Sequence, residues 1–203
     1  MTRRRVMHWM VVAALTCVAA AGHRTDPQRD EPATAAESAS ETAGASIYAL
    51  DLSLVDDGGR SLRLADLRGQ TIVAAMMYTT CTSVCPRVTE DMKVIERRLS
   101  ASDKHGVTFA LFSLDPSRDT SEALRRFASE HQLTASQWRL FALSEDGVRD
   151  LAAVLGVKYR REDDEISHSA MIFVIDREGV VRHRQLGLNG DQRALVEALA
   201  RAR

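Results

Sequence analysis

Hydrophobic and polar positions follow two different periods along this chain, and the switches between them outline its elements. Residues 47–55 (IYALDLSLV) alternate apolar and polar and stop at the turn sequence DDGG, 56–59. A short strand over 61–64 completes an N-terminal β-hairpin around that turn. The run TIVAAMMY, 71–78, is apolar throughout, as expected of a central strand covered on both faces. Helical spacing follows over 86–99, through Val88, Met92, Ile95 and Leu99, with Pro86 expected at the first helical position. Further strands are expected over 107–114 and 138–143, and helices over 120–131 and 146–155. Two more strands, 171–175 and 180–185, flank the turn DREG, and 191–203 closes the chain as a helix with Leu195 and Leu199 on one face. Strands separated by helices, with a late antiparallel hairpin, predict an α/β fold with a mixed sheet and helices on both sides.

The first 46 residues stand outside this pattern. Residues 1–5 are MTRRR, and the stretch 6–21 is apolar except for His8 and Thr16. A basic start, a short apolar run and small residues at Ala19, Ala20 and Ala21 describe an export signal over 1–21. The same segment, left uncleaved, would serve as an N-terminal membrane anchor. Cys17 lies inside it, and a lipidation signal would need Leu where Ala14 stands. Residues 22–46 are rich in Ala, Ser, Thr, Glu and Asp and hold no aliphatic run, so they read as a flexible linker. The folded domain is expected over 47–203, in the periplasm or at the extracytoplasmic face of a membrane.

Composition narrows the function. At 45% hydrophobic residues the chain can bury a sizeable core, which excludes wholesale disorder. Its 27 basic and 28 acidic residues give a net charge of −1, which argues against nucleic acid as a partner. Removal of Arg3, Arg4 and Arg5 with the signal leaves 24 basic against 28 acidic residues, or −4. The exported part would then hold two of the chain's three cysteines, Cys81 and Cys85. That is too few for a disulfide-stapled mini-domain.

Those two cysteines stand in CTSVCP, 81–86, between a buried strand and a helix start. Unpaired amides and the helix dipole favour negative charge there and lower thiol pKa values. A thiolate is both the nucleophile of disulfide exchange and a ligand for soft metals. A strand, a cysteine-bearing turn and a helix over 71–99 fit a thioredoxin-like architecture best. Three intervening residues let the sulfurs meet as a disulfide or converge on one ion, and a metal would call for a third donor. His105, His131, His168 and His183 are the candidates, with His168 preferred because it directly precedes the apolar strand 171–175, where a loop is expected to bring it over a sheet end. His131 reads as a solvent-facing cation at a helix end, and His183 as a member of an exposed strand. Asp119 or Thr120 is expected to cap the helix at 120–131, while Asp115, following a strand, is placed closer to the site. Met76, Met77, Trp138 and Phe141 read as core. A structural disulfide or a zinc site are the plainer alternatives for the cysteine pair.

Three segments in order, YTTCTSVCP (78–86), SLDPSRDT (113–120) and HSAMIFVID (168–176) with Gly179, resemble the Sco/SenC family of copper-binding cytochrome c oxidase assembly proteins. The resemblance covers the chain from about residue 47 to the C-terminus. It implies a thioredoxin-like fold, an N-terminal membrane tether, and copper, as Cu(I) or Cu(II), held by Cys81, Cys85 and His168. Family members commonly carry Asp directly before this histidine, and Ser167 stands here instead, which bears on how the imidazole is oriented.

The expected function is that of a non-enzymatic metallochaperone. It would pass copper to an oxidase subunit or another copper chaperone and would act as a monomer. The alternative is a thiol–disulfide oxidoreductase whose redox-active pair is Cys81 and Cys85, reducing a partner before metal insertion. A peroxidase with one low-pKa cysteine is a more distant third.

Overall fold

The computed structural model describes residues 44–203. The signal or anchor at 1–21 and nearly all of the linker lie outside the described residues.

The chain enters the domain at Ser46, which bridges Val180 and whose hydroxyl caps a turn of 3-10 helix, Ile47–Ala49. Strand β1 is Ser53–Asp56 and β2 is Ser61–Arg63, paired antiparallel as the N-terminal hairpin. The alternation at 47–55 therefore covers two elements, because the buried Ile47 and Tyr48 belong to the 3-10 turn rather than to β1. After a second 3-10 turn, Leu64–Leu67, comes β3, Thr71–Met77, buried at every position. Helix α1 is Val84–Arg98, a short α2 is Ala101–Lys104, β4 is Val107–Ser113 and α3 is Ser121–Glu130. Then follow β5, Trp138–Leu143, and α4, Glu145–Leu155, closed by left-handed Gly156 at φ 75°. Strands β6 (Tyr159–Glu162), β7 (Glu165–His168), β8 (Met171–Ile175) and β9 (Val181–Leu186) precede α5, Gln192–Arg201.

Seven strands make one mixed sheet in the order β2-β1-β5-β4-β3-β8-β9. β3, β4 and β5 run parallel, and the remaining neighbours pair antiparallel. α1 packs against β3 and β8, α3 and α4 against β5, and α5 against β8 and β9. The central strands read as apolar runs because helices cover them. Phe109 stacks on Trp138 at 5.0 Å between ring centroids, and Phe112 on Phe141 at 5.4 Å. Each such pair adds about 0.5–1.5 kcal/mol beyond the area it buries. Met76, Met77, Trp138 and Phe141 are all core residues.

Two expectations need correction. Pro86 is the third residue of α1, not the first, since the helix begins at Val84. Proline is tolerated there because the first-turn N–H groups have no intrahelical acceptor to lose. The segment before 171 is not a loop. β6 and β7 pair in register from Tyr159↔His168 to Glu162↔Glu165 as a separate two-stranded hairpin. Its charged face and single buried aliphatic, Ile166, hid the alternation.

Candidate metal centre

β3 delivers the chain to the end of the sheet, where the segment 78–83 turns into α1. Cys81 N–H donates to the Tyr78 carbonyl at 3.2 Å and closes a turn. The loop is anchored from below by Asp119, which is 1% exposed. Asp119 accepts the Thr79 N–H at 3.1 Å, the Thr79 hydroxyl at 2.5 Å and the Ser113 hydroxyl at 2.6 Å. Asp119 thus does not cap α3; the Thr120 hydroxyl does, accepting from Ala123 N–H. Burial raises the Asp119 pKa against the lowering effect of those bonds.

Ser83, at the N-cap of α1, makes no side-chain capping bond. Cys81 takes over that task. Its Sγ accepts the Cys85 N–H at 3.3 Å, so a sulfur faces the unpaired amides of the first helical turn. The Cys85 thiol, followed by the backbone amides of Cys85, Ser83 and Val84, holds the Cys81 pKa down to about 4 despite burial. Cys85 moves the other way: its bond to Cys81 and its burial both raise it. The expected lowering therefore falls on one sulfur of the two. A thiolate at Cys81 leaves the proton on Cys85, because two charges this close in a buried site repel. No disulfide joins them.

The third donor arrives from the chain entering β8, the antiparallel neighbour of β3. His168 is the last residue of β7. Its Nε2 is 3.4 Å from Cys85 Sγ, and its Nδ1 lies 3.1 Å from the Ser169 carbonyl. Donation from Nδ1–H to that carbonyl fixes the tautomer that leaves Nε2 free as a ligand. The imidazole is thus oriented by backbone, while Ser167 is exposed and opposite Arg160. Ser167 lines the cleft beside His168, but the orienting contact at Nδ1 is made by the Ser169 carbonyl.

The donor atoms of Cys81, Cys85 and His168 all lie within 4.8 Å of one another. A cleft of about 250 Å³ opens onto them, walled by Tyr78, Val84, Glu162 and Glu165. The other histidines stand elsewhere. His105 is exposed at the end of α2, His131 is half-buried rather than solvent-facing because its ring packs on Phe127 at 4.2 Å, and His183 is half-buried rather than exposed, its pKa lowered by burial. Asp115 is fully buried but does not line the cleft. It pairs with Arg118 and, at 2.9 Å, with Arg161 of β6.

Two contributors escaped sequence reasoning. The Tyr78 hydroxyl accepts the Ile166 N–H at 3.3 Å, and its ring meets the His168 ring edge-on at 6.0 Å. Arg161 ties the histidine hairpin to the loop after β4. Tyr78 stood in plain view beside the cysteine motif; nothing in a run of charged residues distinguishes Arg161.

Among known proteins, the chain is 25% identical to a SCO1 protein homolog of Bacillus subtilis over 129 residues, 61% of this chain and 65% of that one. The chain thus spans somewhat under two thirds of that curated relative. A SCO1/SenC family lipoprotein of Bacillus anthracis superposes with a TM-score of 0.68 at 24% identity, covering 75% of this chain and 94% of that one. Arabidopsis thaliana ScoI, solved with copper bound, superposes with a TM-score of 0.62 at 19% identity, covering 79% and 97%. These likenesses establish the thioredoxin-like fold. Residues 40–202 match the SCO1/SenC family as a whole, and the chain belongs to that family.

Proposed function

We propose that this protein is a copper-binding metallochaperone that carries one copper ion on Cys81, Cys85 and His168. The convergence of two sulfurs and one imidazole nitrogen within 4.8 Å carries the reading. Soft thiolates with an imidazole suit Cu(I), and three donors leave a side through which a recipient's ligand can enter. A structural zinc site would call for a fourth protein donor. Copper is cargo here: it arrives by exchange onto the Cys81 thiolate, takes Cys85 as that thiol loses its proton, and is completed by His168 Nε2. Family membership supports an oxidase copper site as the destination. The N-terminal sequence supports export and a tether that keeps the domain at the extracytoplasmic face.

The unequal thiols favour a second reading, dithiol reduction of the recipient. The Cys81 thiolate would attack the partner's disulfide, forming a mixed disulfide and releasing one partner thiolate. Cys85, losing its proton, would then attack Cys81 Sγ, releasing the second partner thiolate and leaving a Cys81–Cys85 disulfide. Two electrons pass to the partner.

Cu(I) titration of the reduced protein against a chromophoric chelator separates them. The chaperone reading expects one copper per chain, lost in Cys81→Ser, Cys85→Ser and His168→Ala alike. A His168→Ala variant that loses copper yet supports full oxidase assembly would overturn it in favour of dithiol chemistry.

A further inference from the structure

The hairpin that carries His168 is joined to the domain at few points. β6 and β7 form a sheet of their own, with no pairing to the seven-stranded sheet among the described residues. With four residues per strand, such a hairpin is marginal on its own in water. One rung holds it. Arg161 and Ile166 are direct cross-strand partners, so their side chains leave the same face. Arg161 Nη2 reaches Asp115 Oδ1 at 2.9 Å. Ile166 is 3% exposed and gives its N–H to the Tyr78 hydroxyl. His168 lies two residues beyond Ile166, and strand alternation puts it on that same inward face.

Asp115 is a fixed post. It is fully buried on the loop after β4 and also accepts the Ser117 hydroxyl at 2.7 Å and the Arg118 guanidinium. The same loop supplies Asp119, which holds Thr79 two residues before Cys81. One loop therefore anchors both halves of the centre: Asp119 the cysteine turn, Asp115 the histidine hairpin. Arg161 is the part of this arrangement that can be removed without orphaning a buried charge, because Ser117 and Arg118 still satisfy Asp115.

We propose that Arg161 is a positioning residue, the latch that keeps the hairpin against the loop so that His168 Nε2 stands over Cys85 before copper arrives. The part of this inference that concerns copper rests on the reading above; the part that concerns the latch does not.

The test compares the full chain with Arg161→Gln and Arg161→Lys. In the reduced, copper-free protein, hydrogen exchange of the Ile166 amide is expected to accelerate about tenfold or more in the Gln variant and to stay near wild type in the Lys variant. Cu(I) affinity is expected to fall about 10–100-fold in the Gln variant, the range seen when an outer-shell partner is lost, with recovery in the Lys variant. The Cu(II) complex should lose its imidazole nitrogen coupling in electron paramagnetic resonance in the Gln variant alone. Unchanged amide exchange overturns the latch. Faster exchange with unchanged affinity and nitrogen coupling overturns the positioning role. If the wild-type chain takes no copper, the chaperone reading fails, and the exchange result alone decides the latch.

Discussion

Cys85 Sγ and His168 Nε2 lie 3.4 Å apart although 83 residues separate them in the chain. One sits in the first turn of α1 and the other at the end of β7. The contact exists because β3 and β8 are adjacent in the sheet, which brings the chain leaving β3 and the chain entering β8 to the same edge.

Thiol reactivity should be asymmetric and flat with pH. A lowered pKa means that Cys81 is a thiolate at all pH values above its own value of about 4. Its alkylation rate by iodoacetamide is therefore expected to be level from about pH 6 to 8, whereas an ordinary thiol near 8.5 gains almost tenfold per unit there. Peptide mass spectrometry should find Cys81 modified before Cys85, whose pKa is raised. A rate climbing steeply through that window would sink the assignment.

Tyr78→Phe removes the acceptor of a buried backbone N–H, that of Ile166. A loss of about 1–3 kcal/mol in urea unfolding is expected, accompanied by weaker copper binding because the histidine hairpin loses an anchor. Stability and affinity both unchanged would show that the hydroxyl is idle.

Ser167→Asp, which installs the residue common in the family, should matter little. The side chain at 167 is exposed and the imidazole is already oriented by the Ser169 carbonyl. An exposed charge is worth at most about 1 kcal/mol, so copper affinity should shift by less than about fivefold. A hundredfold gain in a competition titration would mean that the backbone carbonyl does not orient the ring.

The acid limb of stability should involve Asp56. Burial raises its pKa, but bonds to the Arg60 backbone and side chain and the charges of Arg60 and Arg139 outweigh it, and the folded value lies below the ordinary one. A depressed folded pKa contributes stability that is present above the unfolded value of about 3.9 and is lost as pH falls through the folded value. Asp56→Asn should therefore be less stable than wild type at pH 6 and lose less on going to pH 3, as read by urea unfolding. Asp119, whose pKa is raised, acts in the opposite sense and blunts the wild-type slope without reversing the difference between the two proteins.

Phe112→Ala opens a void beneath Phe141 in the layer between sheet and helices. About 3–5 kcal/mol of stability should be lost, measured by chemical denaturation. A cost under 1 kcal/mol would mean that this part of the core repacks freely.

Local patterning determined the elements that bury a continuous apolar surface. The uninterrupted run of β3, the 3.6-residue spacing of α1 and the alternation around the turn at 176–179 are consequences of which residues can face a core, and they are written in neighbouring positions. The cysteine pair was legible for the same reason, since four residues at a helix start suffice to bring two sulfurs together. The place of His168 just before β8 favours it among the four histidines, and the family resemblance implies it as the third donor; what the sequence leaves undecided is what holds it there. The approach of its ring to the cysteines rests on the order of strands in the sheet, a property of long-range pairing. The hairpin of β6 and β7 is hidden in the local pattern because it is held by contacts outside itself: Tyr78 on β7, and Asp115 and the core packing of Tyr159 on β6. The division of charge between the two thiols was likewise decided by tertiary geometry, which sets one sulfur over the helix amides and buries the other beneath it.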